Sequence, residues 1–329
     1  MRIFVIGCGS IGKRHIGNLK RLSLSEITAF DPSSERREET KEKYGIKVYE
    51  KFEDGLSNNP DAVVIASPTS LHLEQARVAA LKGCHIFIEK PISHTMDGVD
   101  EFIEVVDGNK LIVLIGYNMR HHPCLKQIKE MLSKGEIGRV MSGRVQCGQY
   151  LPDWHPSEDY RKGYSARSEL GGGIILDASH ELDYIRWFLG EAKEVFAFAG
   201  KLSSLEIDTE DTAEILIKFD SGAIGEVHLD YIQRAKSRAC QIIGEEGTVI
   251  WDINEECVKL FKAESGKWEI FPQKKDFDVN NMYIDEMKCF IECIEKGERA
   301  YPDARDGKKV LEIAVAAKRS SIDKKLITL

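Results

Sequence analysis

The sequence predicts an α/β protein with two domains, and three observations support this. The chain has 329 residues, which at roughly 150 residues per domain indicates two domains. Its first 120 residues alternate short apolar runs with helical patterns, which is typical of a doubly wound parallel sheet. From residue 121 onward, strand-like segments dominate. We therefore expect one domain over residues 1–120 and a second over residues 121–329.

The first domain contains six candidate strands, and several of them are continuously apolar, as expected for parallel strands buried on both faces. They are predicted at residues 3–6, 27–30, 47–49, 62–66, 85–88 and 111–115. Helices over residues 33–44 and 71–82 are expected to end at Gly45 and Gly83. Glycine suits these positions because it readily adopts the left-handed conformation that closes a helix.

The second domain begins with a helix over residues 123–134, ended by Gly135, and a strand near 139–147. After an aromatic and charged loop, a single helix is expected to follow Gly171, Gly172 and Gly173 and to end near residue 189. A meander of strands and two final helices follow. The meander strands are predicted at 193–199, 211–219, 223–231, 237–243 and 247–253, and the helices at 280–296 and 306–320. Since no linker rich in Pro, Gly or Ser separates the domains, we expect a ligand cleft between them.

Composition excludes several functional classes. Lys plus Arg is 46 and Asp plus Glu is 54, so the net charge is −8, and an acidic chain without a basic block is a poor nucleic-acid binder. The eight cysteines include no CxxC pair, which indicates reduced thiols and predicts no metal site. The apolar run at 111–115 is far shorter than the ~20 residues that span a bilayer. We expect a soluble, cytoplasmic protein without a membrane partner.

A glycine-rich turn follows the first predicted strand. Gly7, Gly9 and Gly12 form a GxGxxG pattern at the start of a helix. Gly7 permits the tight turn, Gly9 lets a pyrophosphate approach the backbone, and Gly12 lets the helix pack closely. The amide groups of Ser10 and Ile11, at the helix start, are then available to phosphate oxygens. The pattern predicts a dinucleotide site.

An acidic residue at the end of the second strand supports this site. Asp31 lies 31 − 12 = 19 positions beyond Gly12, close to the ~20 expected for a carboxylate that binds the ribose hydroxyls. Because this carboxylate repels a 2′-phosphate, NAD(H) is favoured, while NADP(H) stays open. Arg36 and Arg37 are interpreted as part of a solvated helix face.

Two further groups have the chemistry of proton transfer. Lys90 follows the fifth strand, where its side chain is expected to face the nicotinamide end of the site and to polarise a substrate oxygen. Glu89 either pairs with Lys90 or caps the strand. Asp177 and His180 are three residues apart on the predicted helix, so they share a face off the apolar stripe, and His180 is a suitable proton acceptor near neutral pH.

The chain resembles the Gfo/Idh/MocA family of nicotinamide-dependent oxidoreductases over essentially its full length. The resemblance rests on five segments in order: Gly7-Cys8-Gly9-Ser10-Ile11-Gly12, Ser67-Pro68-Thr69-Ser70-Leu71-His72, Glu89-Lys90-Pro91, Gly171-Gly172-Gly173 with Asp177 and His180, and Tyr283-Ile284-Asp285-Glu286.

The resemblance implies an N-terminal Rossmann domain and a C-terminal α/β domain with a large, mainly antiparallel sheet. It implies Lys90, Asp177 and His180 as the catalytic group, often with a cis bond before Pro91. The residues it implies at the cofactor are Ser67, Pro68, His72, Glu89 and Lys90. Two departures affect details: the family usually spaces the aspartate and histidine four apart, and it usually has asparagine where Thr69 stands.

The loop over residues 149–169 is the expected substrate site, because aromatic rings suit sugar faces and cations suit anionic groups. The candidates for substrate contact are Asn118, Arg120, Trp154, Arg161 and Tyr164, with His121, His122, Tyr150, His155, Tyr160, Lys162 and Arg167 nearby. The predicted substrate carries several hydroxyl groups, with or without an anionic group.

These observations predict hydride transfer between nicotinamide and a secondary alcohol of a sugar, cyclitol or sugar-nucleotide. His180 takes the hydroxyl proton, Lys90 polarises the oxygen and Asp177 orients the pair. Two alternatives stay open, an NAD-retaining glycosidase of the same fold and a non-catalytic dinucleotide-binding protein. The resemblance further implies a homodimer or homotetramer that buries the open face of the second sheet.

Overall fold

The computed structural model describes residues 1–154, 156 and 159–329. Within these ranges the chain forms two compact units. One comprises Met1–Asn118 with Asp278–Lys308, and the other comprises Met119–Phe277 with Lys309–Leu329. The expected division after residue 120 lies two residues beyond the observed one after Asn118, and it assigned residues 278–308 to the second domain instead of the first.

A parallel sheet of six strands, counted over the described residues, forms the first unit. Its strands are β1 (Ile3–Ile6), β2 (Ile27–Phe30), β3 (Lys47–Tyr49), β4 (Ala62–Ile65), β5 (His85–Glu89) and β6 (Val113–Gly116). The spatial order is β3-β2-β1-β4-β5-β6, and all neighbours pair in parallel. The order reverses beside β1, which is where doubly wound sheets bind ligands. The predicted parallel sheet is confirmed.

A mixed sheet forms the second unit, and nine of its strands lie in the described ranges. They are β7 (Val140–Gly148), β8 (Ala192–Gly200), β9 (Thr212–Phe219), β10 (Ile224–Asp230), β11 (Ser237–Gly244), β12 (Gly247–Asp252), β13 (Cys257–Lys262), β14 (Lys267–Pro272) and β15 (Ile327–Thr328). The order is β14-β13-β12-β11-β7-β10-β9-β8-β15. The β7–β10 pair is parallel and the other neighbours are antiparallel.

This sheet confirms the large, mainly antiparallel architecture but not a simple meander. β7 is inserted between β10 and β11, although these two strands follow one another in sequence. The hairpin of β13 and β14 was missed, and on β14 Trp268 and Ile270 are largely exposed. Alternation identifies a strand with one buried face, whereas β14 is mostly exposed along its length and gives a weak signal.

Helices connect and cover the strands. They are α1 (Ser10–Arg21), α2 (Ser34–Tyr44), α3 (Phe52–Leu56), α4 (Thr69–Leu81), α5 (Val99–Gly108), α6 (Pro123–Ser133), α7 (Ile174–Asp177), α8 (Ser179–Leu189), α9 (Asn280–Lys296) and α10 (Ala304–Asp323). The predicted glycine ends are confirmed, since Gly45, Gly83 and Gly135 have φ of 61°, 77° and 71°. No helix within the described ranges combines the length and apolarity needed to cross a membrane.

The assignment of residues 278–308 to the first unit follows from packing. α9 contributes Met287, Phe290 and Ile291 to the apolar core that also contains Val5 and Phe87 of the sheet. The rings of Phe87 and Phe290 lie 5.9 Å apart. An amphipathic pattern shows that a helix buries one face but does not say which core receives it.

Candidate functional site

The glycine-rich turn after β1 leaves no room for side chains at two of its three glycines. Gly7 has φ of +97°, and a Cβ there would lie 2.6 Å from the carbonyl oxygen of Ala66. A Cβ on Gly12 would lie 1.9 Å from the carbonyl oxygen of Gly7. A Cβ on Gly9 would meet no atom within 4 Å, so the backbone there borders open space. α1 begins at Ser10 without an acidic residue in its first turn, which leaves its positive end suited to phosphate.

Asp31 is fixed against this turn. The side chain is buried, one carboxylate oxygen accepts a hydrogen bond from the Cys8 amide at 2.8 Å, and the other accepts from the Ser33 amide at 2.8 Å. Each carboxylate oxygen can accept a second hydrogen bond. Arg36 lies 3.9 Å from the Asp31 carboxylate with an exposed side chain, whereas Arg37 donates to the carbonyl oxygens of Asp31 and Pro32. Asp31 therefore links the dinucleotide turn to the end of β2.

The segment after β4 is tied to the segment after β5 through His72. Its Nδ1 lies 2.8 Å from the carbonyl oxygen of Pro91, and its Nε2 lies 2.8 Å from that of Ser67. Burial lowers the pKa of His72 although the two carbonyl groups favour the charged ring. Ser67 Oγ donates to Gln75, and Pro68 precedes α4. His72 thus bridges two loops within the protein, and its contact with a cofactor stays a prediction.

Lys90 follows β5 directly and is half-buried. The Lys90–Pro91 peptide bond is cis, as the resemblance implied. The amide of Lys90 donates to Glu89 Oε2 at 3.3 Å, while Glu89 Oε1 lies 2.6 Å from Nε2 of His15 in α1. Because all six strands are parallel, the residues that follow β1, β2, β4 and β5 share one edge of the sheet. This edge carries the predicted dinucleotide residues and Lys90.

In the second unit, Asp177 is surrounded by hydroxyl groups. Its carboxylate accepts hydrogen bonds from Tyr164 Oη, from Ser165 Oγ at 2.6 Å and from Tyr231 Oη at 2.9 Å. Asp177 is 5% exposed, so these donors take the place of water around the charge. The arrangement joins the substrate loop, α7 and the end of β10.

The expectation of one continuous helix through Asp177 and His180 is wrong. Asp177 is the last residue of α7, Ala178 leaves the helical conformation at φ −93° and ψ 32°, and α8 starts at Ser179. His180 is therefore in the first turn of α8 and is 9% exposed. Spacing of three residues places two side chains on one face only in an uninterrupted helix.

α8 is buried on its polar side as well as on its apolar side. Arg120 forms two parallel hydrogen bonds with the carboxylate of Asp183, at 2.8 and 2.7 Å, and both residues are buried. Arg238 Nε lies 2.8 Å from Glu181 Oε1. One fully buried ion pair, and a second in which the Arg238 side chain is 20% exposed, thus hold α8 and with it His180. A substrate contact by Arg120 stays a prediction.

Both arginines of the substrate loop are paired with carboxylates of the protein. Arg161 contacts both carboxylate oxygens of Asp159 and lies 3.3 Å from Glu206, and Arg167 lies 3.1 Å from Glu169. Trp154 packs edge-on against Tyr231 with ring centres 5.3 Å apart. Tyr164 is 38% exposed. Asn118 belongs to the first unit and is buried. His155 lies outside the described residues.

The glycines before α7 hold this loop close to the helix. A Cβ on Gly172 would lie 2.1 Å from the Tyr164 carbonyl oxygen. Gly173 has φ of +106°, and a Cβ there would lie 2.4 Å from Glu210 Oε1. The triple glycine is therefore required where loop backbone and the Glu210 side chain approach the start of α7.

Sequence reasoning missed several residues of these arrangements. They are His15, Ser165, Glu210, Tyr231 and Arg238, with Glu286 noted in the family resemblance but given no role. Ser165 stands beside Tyr164, which offered a local signal. Tyr231 ends a predicted strand, and its contact with Asp177 spans 54 positions, which no local pattern reveals.

Comparison with known proteins agrees with this geometry. Residues 1–117 match the model of an oxidoreductase family with an NAD-binding Rossmann fold, and residues 125–250 match the GFO/IDH/MocA C-terminal domain. The chain is 32% identical to myo-inositol 2-dehydrogenase of Thermotoga maritima, over 100% of this chain and 98% of that protein. It is 27% identical to scyllo-inositol 2-dehydrogenase (NAD(+)) of Bacillus subtilis, over 97% of this chain and 94% of that protein.

A solved structure shares the whole fold. Levoglucosan dehydrogenase in complex with NADH and levoglucosan superposes with a TM-score of 0.90 over 100% of this chain and 99% of that chain, at 21% identity. At this identity the likeness concerns the fold. With both family models matched and a full-length relative above 30% identity, the chain belongs to the Gfo/Idh/MocA family of NAD-binding oxidoreductases.

Proposed function

We propose that this protein is an NAD-dependent dehydrogenase that transfers a hydride between nicotinamide and a carbon bearing a secondary hydroxyl group in a cyclitol, a sugar or a sugar-nucleotide. The observation that carries the proposal is the carboxyl edge of the first sheet. There the dinucleotide turn, Asp31 and Lys90 follow neighbouring parallel strands. Membership of the family supports the same chemistry.

The residues at this edge fit the cofactor. The turn at Gly7, Gly9 and Gly12 and the start of α1 would hold the pyrophosphate, and Asp31 retains acceptor capacity for both ribose hydroxyls. A 2′-phosphate would be repelled by the Asp31 carboxylate, which favours NAD(H) over NADP(H). When bound, the nicotinamide ring accepts or supplies the hydride.

The proton chemistry is assigned to side chains of both units. His180 accepts the proton of the substrate hydroxyl, and Lys90 donates a hydrogen bond that polarises the same oxygen. Asp177 positions the α7–α8 junction that carries His180, because three hydroxyl donors hold its carboxylate in place. The first unit thus binds the cofactor, and the second supplies the proton acceptor and the substrate loop.

In the substrate loop, Arg161 and Arg167 already form ion pairs with carboxylates of the protein. This favours a neutral polyol over an anionic substrate. An anionic group would have to compete with Asp159 and Glu206 for Arg161, and with Glu169 for Arg167. A hydroxylated ring instead needs aromatic surface and hydroxyl partners, which Trp154 and Tyr164 supply. We therefore expect a cyclitol or free sugar to be a better substrate than a sugar acid or sugar-nucleotide.

The protein is further proposed to act in the cytoplasm as a homodimer or homotetramer. Large apolar side chains on the second sheet are half or more exposed, at Phe198, Leu216 and Ile224, and such a surface suits burial against a second copy. Light scattering during size-exclusion chromatography measures the mass of the assembly directly. A monomeric mass at micromolar concentration would contradict this.

The proposed reaction is tested by following NADH absorbance with a panel that includes myo-inositol, scyllo-inositol, free hexoses, glucuronate and a UDP-sugar. NADH formation with a neutral polyol is expected. Lys90→Ala is expected to lower kcat about 10²-fold while the NADH dissociation constant, measured by fluorescence, changes less than about threefold. Near wild-type turnover in this variant would refute the role of Lys90. Release of an aglycone from a glycoside without net NADH would favour the glycosidase.

A further inference from the structure

A buried cluster beneath Lys90 has no role in the reaction described above. It consists of His15 in α1, Glu89 at the end of β5 and Glu286 in α9, and we refer to it as the His15 cluster. A ligand atom from each residue lies within 4.8 Å of the others, and all three residues are buried. The chain brings them together from positions up to 271 residues apart, 286 − 15, within the first unit.

Neither oxygen of the Glu286 carboxyl group has a hydrogen-bond partner within the described residues, and Glu286 is 1% exposed. A charged carboxylate in such a place is strongly disfavoured. Burial, followed by the negative charge of Glu89, raises the pKa of Glu286 well above its usual range. Burial and the lack of a hydrogen-bond donor among the described residues therefore both favour the neutral acid form of Glu286.

Glu89 is the charged member of the pair. Burial would raise the pKa of Glu89, but the hydrogen bond from His15 and the positive charges of His15 and Lys90 outweigh this and lower it. The short contact of 2.6 Å between His15 Nε2 and Glu89 Oε1 is consistent with an N–H that donates to a carboxylate. Two adjacent carboxyl groups thus exist in different protonation states because only one of them has a donor.

The cluster reaches Lys90 through Glu89. Glu89 Oε2 accepts a hydrogen bond from the Lys90 amide at 3.3 Å, and a Cβ on Gly116 of β6 would lie 3.2 Å from the same oxygen. The Glu89 carboxylate is therefore held closely against the end of β5 and against β6. We propose that His15 is a positioning residue for Lys90, acting through Glu89, and that Glu286 completes the cluster without adding a second negative charge. This rests on the proposed function only for the role of Lys90 itself.

The other titratable side chains around the cluster do not take the place of His15 as the partner of Glu89. His72, at the segment after β4, has its pKa lowered by burial, and its two ring nitrogens lie on the carbonyl oxygens of Pro91 and Ser67 and not on Glu89. Tyr283 of α9 has its pKa raised by burial and then by Glu89, and Arg14 of α1 lies over its ring at 4.5 Å. Of His15, His72 and Tyr283, it is therefore His15 that hydrogen-bonds Glu89 directly.

The first test measures how readily the Lys90 amine is acetylated, which does not require the enzyme to turn over a substrate. Trace acetic anhydride acetylates an amine only in its uncharged form, so mass spectrometry of Lys90 at pH 8, relative to exposed Lys82, reports the charge state. His15→Leu is expected to let Glu89 take up a proton and to increase relative acetylation of Lys90 about tenfold. His15→Gln keeps an N–H donor and should restore the ratio to within about threefold of wild type.

Variants of the carboxyl groups separate the remaining possibilities. Glu89→Gln removes the charge directly and should match His15→Leu, which keeps the test open if the leucine variant fails to fold. Glu286→Gln should label like the wild type, as should the matched control Asp285→Asn, an exposed neighbour on α9. A Glu286→Gln ratio about tenfold above wild type would refute the neutral acid. If the acetylation of Lys90 relative to Lys82 were unchanged in both His15→Leu and Glu89→Gln, the proposal would be refuted and the cluster would have a structural role only.

Activity and metal content complete the test. With NAD and myo-inositol, the pH profile of kcat should change in His15→Leu while the NADH dissociation constant stays within about threefold. If no polyol is oxidised, the proposed reaction fails, but the acetylation ratios still decide the present proposal. One equivalent of a divalent metal in the purified protein, lost in Glu286→Gln, would overturn it, because a cation would then hold the three side chains.

Discussion

At the scale of single residues, buried carboxylates organise both units, and each is held by more than one donor. Asp31 accepts from two backbone amides, Asp177 accepts from three hydroxyl groups, and Asp183 binds Arg120 through two nitrogens. Such charge-assisted hydrogen bonds fix direction as well as charge. The sequence identified Asp31 from its spacing to Gly12 and Asp177 from its spacing to His180, but donors such as the Cys8 amide and Tyr231 Oη lie in other elements and were not predicted.

Replacement of Asp31 tests the choice of cofactor. Asp31→Ser removes the charge that repels a 2′-phosphate and leaves Arg36 close by. We expect the dissociation constant for NADH to rise about tenfold, since a charge-assisted hydrogen bond is lost, and that for NADPH to fall. Fluorescence titration with both cofactors measures this. Glu35→Ser, on the exposed start of α2, is the control and should leave the preference for NADH unchanged.

His228 makes stability depend on pH in the alkaline range. Its ring nitrogens lie 2.9 Å from Asp230 and 2.6 Å from Glu214. The hydrogen bond to Asp230, partly offset by burial and supported by Glu214, raises the pKa of His228 to about 9. A raised pKa stabilises the folded protein fully below the unfolded value near 6.5, and this contribution is lost as the pH rises through about 9.

The matching variant is His228→Gln. The His228 side chain is 30% exposed, so solvent screens its ion pairs. Their contribution to the free energy of unfolding is then about 1 kcal/mol, which corresponds to about 2 °C in Tm. The wild type should therefore exceed the variant in Tm at pH 6 and converge with it at pH 10. Thermal unfolding across this range measures the difference. A constant difference at every pH would show that His228 contributes through packing instead.

At the scale of elements, the junction from the triple glycine to α8 connects the substrate loop to His180. α7 is a single turn, α8 begins after Ala178, and the ion pairs of Asp183 and Glu181 hold α8 in place. The local sequence predicted a helix with a glycine start, and it correctly placed the end of that helix. The interruption at Ala178 directly follows Asp177, whose carboxylate accepts hydrogen bonds from Tyr164, Ser165 and Tyr231.

Gly173→Ala tests this junction. Because Gly173 has φ of +106° and a Cβ would lie 2.4 Å from Glu210 Oε1, the alanine is expected to displace the loop and α7. We expect a loss of about 2 kcal/mol in the free energy of unfolding and a reduction of about tenfold or more in kcat/KM with NADH affinity preserved. Urea unfolding and steady-state kinetics measure these effects. Gly200→Ala, whose Cβ would meet open space, should behave like the wild type.

At the scale of the whole molecule, the order of the elements along the chain differs from the order in which they pack. The segment Asp278–Lys308 belongs to the first unit although it lies in sequence between β14 and β15 of the second sheet. In the second sheet, β7 pairs with β10 and β11, which occur about 80 residues or more later. Sheet neighbours are set by backbone pairing and core packing, which depend on the full set of elements rather than on local pattern.

Phe290→Ala tests the membership of α9 in the first unit. Phe290 is fully buried against Phe87, and removal of a buried phenylalanine side chain costs about 3–5 kcal/mol. Hydrogen exchange should accelerate in β1 and β5 and much less in β9. Lys288→Ala, on the exposed side of the same helix, is the control. Faster exchange confined to the second unit would contradict the assignment.

The sequence by itself determined the two-part α/β architecture, the parallel strands of the first sheet, most helix ends, the dinucleotide turn with Asp31, and the candidate residues Lys90, Asp177 and His180. These features depend on local periodicity, on glycine conformation and on short spacings. Tertiary structure alone decided which elements surround those residues: the hydroxyl groups on Asp177, the ion pairs of α8, the partners of the loop arginines and the His15 cluster. The Tyr231 contact of Asp177, the ion pairs of α8 and the His15 cluster join residues that are more than 50 positions apart, because burial of polar groups is satisfied by whichever donors the completed fold brings into contact.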